Sequence, residues 1–233
     1  MVADRSSSRA NSRVRVTSPP PHGTLAFAAP DTKVQLSRWA KTGKAQRLAA
    51  GVYAVGATLP PEEAARHHRY ELIARFWPDA VVCGASALAG GFATDGWLYI
   101  SVPNGRRARL ALPGMTIQPV AGPGPLPGDT PMPAGLHMSG PARVLVENVT
   151  IGAGRPARHK AGTRAVEDRI DALARSGGAG RIMAVLDQLD VIARSFDPAA
   201  VDAVRTRLAG VVDIHRCADR LASARRAPVR HAV

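Results

Sequence analysis

Apolar positions recur with two different periods along this chain, and the places where the period changes mark its organisation. Between Asp31 and Gly43, Leu36, Trp39 and Ala40 repeat at i, i+3 and i+4, which puts a single apolar stripe on a helix. Asp31 or Thr32 can cap its start, and Gly43 stands where a C′ glycine ends a helix. Ala45–Leu48 and Val52–Val55, joined by Ala49-Ala50-Gly51, predict the two strands of a hairpin. Pro60-Pro61 opens a second predicted helix, with Glu62 and Glu63 in its positive first turn; it stops near Phe76, before Pro78. Short strand-like pieces follow at Ala80–Cys83, Trp97–Val102, Arg109–Leu112, Met115–Gln118 and Leu136–Met138, divided by clusters such as Gly122-Pro123-Gly124-Pro125. From Pro141 the period is helical. Val166, Ile170 and Leu173 form one stripe, and Ile182, Val185, Leu186 and Leu189 another; Asp197-Pro198 is an N-cap and N1 pair leading into Val201, Val204 and Leu208.

These elements predict an α+β protein in five parts. A disordered basic arm covers residues 1–23, with Arg5, Arg9, Arg13 and Arg15 and a closing triple proline. A winged-helix-like DNA-binding segment covers 24–58, a small mixed α+β module 59–150, a helical C-terminal region 151–215, and a frayed basic tail 216–233 with Arg216, Arg220, Arg225, Arg226 and Arg230.

Composition narrows the classes. Of the 233 residues 45% are apolar but only 4% are aromatic, so the core must be built from Ala, Val, Leu and Ile. No apolar run is long enough for a membrane span, and Met1 to Gly23 has no apolar stretch of the kind a secretory leader needs. Cys83 and Cys217 stand far apart, which suits a reducing compartment, and a cytoplasmic protein is expected. The formal net charge of +13 favours polyanionic partners, nucleic acid first.

The charge is informative where it meets the first helix and hairpin. With Leu36, Trp39 and Ala40 turned to the core, Lys33, Gln35, Ser37, Arg38 and Lys41 face outward, and Lys44, Gln46 and Arg47 add donors on the hairpin. Three of the four lysines in the chain, Lys33, Lys41 and Lys44, fall here; the fourth is Lys160. A helix followed directly by a two-stranded hairpin is the second half of a winged helix, whose recognition helix enters the major groove. Arg pairs with guanine, Gln with adenine, and Lys with phosphate. The same pattern also describes an amphipathic helix with a solvated face.

The run Leu36-Ser37-Arg38-Trp39-Ala40-Lys41-Thr42-Gly43-Lys44-Ala45-Gln46-Arg47-Leu48-Ala49-Ala50-Gly51-Val52-Tyr53 resembles the signature of the AbiEi-type antitoxins of type IV toxin–antitoxin systems. It is also similar to the N-terminal region of some Fic-type proteins. Further short stretches resemble the antitoxin family in order: Cys83–Leu88, Trp97–Pro103, Leu112–Ile117, and Ser139–Asn148 as "S-x-x-A-R-x-L-x-E-N". The resemblance implies a non-catalytic repressor of its own toxin–antitoxin operon, with double-stranded operator DNA as partner and a functional pairing with a nucleotidyltransferase-like toxin. No cofactor or metal is expected from the residues themselves. Two readings of another class stand beside it: an adaptor that docks a partner protein on the stripes around Ile182–Leu189 and Val201–Leu208, or a catalytically empty regulatory fragment of a Fic-like protein.

Other candidate chemistry is thin. Ser86 in Gly84-Ala85-Ser86-Ala87-Leu88 lacks the last glycine of a nucleophile elbow and reads as a helix cap. Glu63 and His67 share a helix face without a third metal ligand. His215 and Cys217 lie two apart, Cys83 reads as core, and Gly152-Ala153-Gly154 follows a helix where a phosphate loop would open one. Arg106, Arg107 and Arg109 follow an Asn-Gly turn and suit either nucleic acid or solvent.

Overall fold

A computed structural model describes residues 21–103, 108–152 and 157–226. The arginines of the expected N-terminal arm, Arg106, Arg107, Ala153-Gly154 and Arg230 lie outside the described residues, as do the side chains of His215, Arg216, Arg220, Arg225 and Arg226. The architecture is mixed, with six α-helices and two sheets among the described residues, in two compact units that meet in sequence at Pro60 and Pro61.

The first unit runs β1 (Thr24–Phe27), α1 (Lys33–Lys41), β2 (Ala45–Ala49) and β3 (Val52–Val55). The three strands form an antiparallel sheet in the order β1-β3-β2. Thr32 precedes α1, but its hydroxyl accepts the Ala29 N–H at 2.9 Å and caps no N–H of the helix itself. Gly43, at φ +73°, turns the chain out of α1 in the left-handed region that glycine tolerates, and the Lys44 N–H closes back on the Trp39 carbonyl. Leu36, Ala45 and Tyr53 form a small core that the half-buried Trp39 and Ala40 extend. A bulge between Arg47 and Ala49 leaves Leu48 as the extra residue of β2, and Leu48 is buried. β1 has no sequence period of its own; pairing with β3 is what makes it a strand.

The second unit carries α2 (Pro61–Phe76), β4 (Val81–Val82), α3 (Gly84–Leu88), β5 (Trp97–Val102), β6 (Leu110–Leu112), β7 (Met115–Ala121), β8 (Thr130–Pro131) and β9 (His137–Met138). Its sheet has the order β6-β7-β5-β4-β9-β8 and is mixed, with β5 parallel to β7 and antiparallel to β4. β7 runs past the expected end at Gln118 and includes Pro119. The reason is local: β6 pairs only as far as Ile117, so beyond it β7 is an edge strand and the missing proline N–H costs no ladder bond. Expected strands at 80–83 and 136–138 shorten to two residues each.

The helical part comprises α4 (Pro141–Asn148), α5 (Thr163–Ile192) and α6 (Pro198–Arg226). α5 is broken at Gly178, whose φ of 57° and ψ of −154° interrupt the helix within Ser176-Gly177-Gly178-Ala179-Gly180. α6 continues to Arg226, so the segment expected as a frayed tail from residue 216 is helical up to that point. A core of the unit is aliphatic, as the composition requires: Leu145 of α4 and Val149 just after it, Ile170, Ile182 and Leu189 of α5, and Val201, Val204 and Leu208 of α6. Among the described residues, no helix is long and apolar enough to cross a membrane.

Candidate nucleic-acid interface

Helix geometry sets out the donors of α1. At about 100° per residue, Leu36, Trp39 and Ala40 cluster on one side, and Val34, Ser37, Arg38 and Lys41 fall on the opposite one. Lys33 and Gln35 flank the two. Burial agrees: Leu36 is buried, Trp39 and Ala40 are half-buried, and Lys33, Val34, Gln35, Ser37, Arg38 and Lys41 are all exposed. Lys44 and Arg47 are exposed as well, and Arg47 Nε donates to its neighbour Ala49's carbonyl at 3.3 Å. No ion pair among the described residues engages Lys33, Arg38, Lys41, Lys44 or Arg47, so their charges face solvent. Such a surface offers bidentate, amide and ammonium donors together, the set that reads base edges and phosphates.

Gln46 departs from the expected arrangement. Its side chain is half-buried, and Nε2 donates to the Leu59 carbonyl at 2.7 Å and the Ala57 carbonyl at 3.4 Å. Strand alternation turns it away from Arg47, so it ties the chain after β3 back onto β2. Val34, 69% exposed, is the residue of this face that polarity could not flag; its position opposite Leu36 was legible from the helical period.

In the second unit, the polar residues of the Ser139–Asn148 motif form a buried network. Arg143 donates from Nε to Glu147 at 2.7 Å, from Nη1 to Asp129 at 2.7 Å and to the Gly124 carbonyl, and from Nη2 to the Pro123 carbonyl. Glu147 also accepts the Ser139 hydroxyl at 2.7 Å and the Gly84 N–H at 3.0 Å, while Asp129 accepts the Leu126 and Gly140 N–H groups. Asn148 accepts the Ala161 N–H and donates to the Val144 carbonyl. Every polar residue of the motif is thus occupied in joining α4 to the loops around it. Asp129 carried no signal in the sequence, because its partner lies 14 residues further on.

The remaining candidates are placed as follows. Ser86 caps nothing: it lies within α3, and its hydroxyl accepts the Tyr99 N–H at 2.9 Å, tying the helix to β5. Cys83 is buried, and burial, reinforced by the nearby Glu147 carboxylate, pushes its thiol well above the ordinary value. It lines a cavity of about 270 Å³ with Gly84, Ser101, Glu147, His159 and Phe196. Ser101 donates to the Pro123 carbonyl there, and both Glu147 oxygens are engaged as above. Glu63 and His67 are exposed, and no group of three potential metal ligands exists among the described residues. The stripes Ile182–Leu189 and Val201–Leu208 pack in one core, which removes them as a docking surface. No protein-family model matches the chain, and no curated protein matches it in sequence.

Proposed function

We propose that residues 24–58 are a winged-helix-like DNA-binding segment, and that the chain is a non-catalytic, antitoxin-type regulator that represses its own operon in the cytoplasm. The observation that carries this reading is the exposed face of α1, where Ser37, Arg38 and Lys41 lie opposite the core and Lys33 and Gln35 flank them. The following hairpin adds Lys44 and Arg47, in a sheet ordered β1-β3-β2 that shares a small core with the helix. Arg38 and Gln35 are the base readers in this reading, the lysines and Arg47 the phosphate contacts. A functional pairing with a nucleotidyltransferase-like toxin belongs to the same reading.

Fluorescence anisotropy with the chain's own upstream DNA and a scrambled duplex, titrated over salt, tests the proposal. Preference for the upstream duplex, with log affinity falling at about −0.9 per neutralised phosphate against log salt, is the expected result. Equal affinity for both duplexes reduces the charge to a non-specific polyanion trap and overturns the repressor reading.

A further inference from the structure

Val34 is the one large apolar side chain exposed on the first unit among the described residues, at 69%. The helical period fixes its place on α1. At about 100° per residue, the core direction set by Leu36, Trp39 and Ala40 leaves Val34 within about 20° of the point directly opposite. Lys41 lies about 20° to one side of it and Arg38 about 40° to the other. The centre of the outward face is therefore apolar, and its flanks are cationic.

Stability does not account for a valine at that position. Most of its surface is in solvent, so it adds little to a core, and a β-branched side chain forms helix less readily than alanine. The charge around it selects the kind of occupant. Between residues 21 and 60 Asp31 is the single acidic residue, against Lys33, Arg38, Lys41, Lys44 and Arg47. A membrane surface attracts such charge too, but an interfacial helix buries its large apolar side in lipid. Here that side, Leu36 and Trp39, packs with Ala45 and Tyr53 of the unit's own sheet. Nucleic acid is the polyanion that a cationic face with an apolar centre can read.

We infer that Val34 reads a thymine, its methyl groups meeting the C5 methyl of that base in the major groove. The inference rests on the reading of α1 as a recognition helix. In such a helix the side chain pointing straight away from the core meets the floor of the groove. Valine brings neither donor nor acceptor there, and thymine alone among the four bases presents an apolar group on that floor. Arg38 and Lys41, on the flanks, keep the base and phosphate contacts assigned to them above.

The test uses the full chain and its own upstream duplex. Footprinting locates the bound stretch, and each thymine within it is replaced in turn by deoxyuridine, which lacks only the C5 methyl. Anisotropy at fixed salt should find a position where uracil weakens the parent chain by about threefold to tenfold, the order of one buried methyl group. Val34→Ala should lose about as much on the thymine duplex and be indifferent to uracil at that position. Lys41→Ala, which removes a phosphate donor, should bind more weakly yet keep the full uracil sensitivity. The melting temperature of Val34→Ala should not fall, because alanine is the better helix former and no packing is lost. Uracil sensitivity absent at every bound thymine, or unchanged in Val34→Ala, would overturn the inference and leave the repressor reading standing. A Val34→Ala loss equal on thymine and uracil duplexes would place Val34 against the sugar–phosphate backbone and overturn it as well. Unaltered binding of Val34→Ala to the thymine duplex would do the same and assign the side chain to a protein partner. Equal affinity of the parent chain for upstream and scrambled duplexes would overturn both readings together.

Discussion

Arg143, with 1% of its side chain exposed, can be charged in the interior only because carboxylates and carbonyls meet its donors from three directions. Arg143→Ala leaves Asp129 and Glu147 without their cation and should destabilise the chain by about 3–5 kcal/mol, read as a shift in the urea midpoint. The two cysteines divide in the same way by environment. Cys217 is exposed, while Cys83 is buried with its thiol raised by burial, and the thiolate is the reactive form. One thiol should therefore react with Ellman's reagent at once and the second only on unfolding, and Cys217→Ser should remove the fast phase. Gly84 sits beside both features at φ +56°, where a Cβ would lie 2.3 Å from the His159 carbonyl oxygen, so only glycine lets its N–H reach Glu147.

At the scale of elements, α1 and the hairpin separate surface donors from fold-holding ones. Arg38→Ala should cost about 1–3 kcal/mol in DNA binding and relax preference at one base position if Arg38 reads a base, or lose affinity uniformly if it meets phosphate; anisotropy on a panel of single-base variants distinguishes these. Gln46→Ala should act on stability, lowering it by about 0.5–1.5 kcal/mol through the lost bond to Leu59, with base preference unchanged. Gln46 was legible as a polar residue on a strand, but not as inward-facing. Only the pairing of β2 with β3, bulge included, decides which of Gln46 and Arg47 turns toward the chain after β3. The helical stripe of α1 needed no such help, because a 3.6-residue period names both faces at once.

For the whole molecule, acid should weaken the fold in a defined window. His159 is half-buried, and burial, helped by the neighbouring Lys160 charge, holds its imidazole below the ordinary value. Above about pH 6.5, the ordinary imidazole value, both folded and unfolded chains keep it neutral and its contribution is complete. As pH falls below that, the unfolded chain takes up the proton first, and stability declines until the folded value is passed. Urea unfolding at about pH 7 and about pH 5 should show this loss, and His159→Gln should show less of it than the parent chain.

What the sequence determined by itself was local: the face of α1, the hairpin after it, the start of α2 at Pro61 and the aliphatic stripes of α5 and α6. Each rests on a period or a proline whose effect reaches only a few residues. Tertiary structure decided what depended on distant partners: that Thr24–Phe27 is a strand, that β7 continues through Pro119, and that the helical stripes bury each other. It also turned the Ser139–Asn148 motif into a closed ionic network with Asp129, and brought Cys83, His159 and Phe196 around one cavity. Residues tens of positions apart carry no common period. Their meeting follows from how the sheet and helices pack, which no local rule encodes.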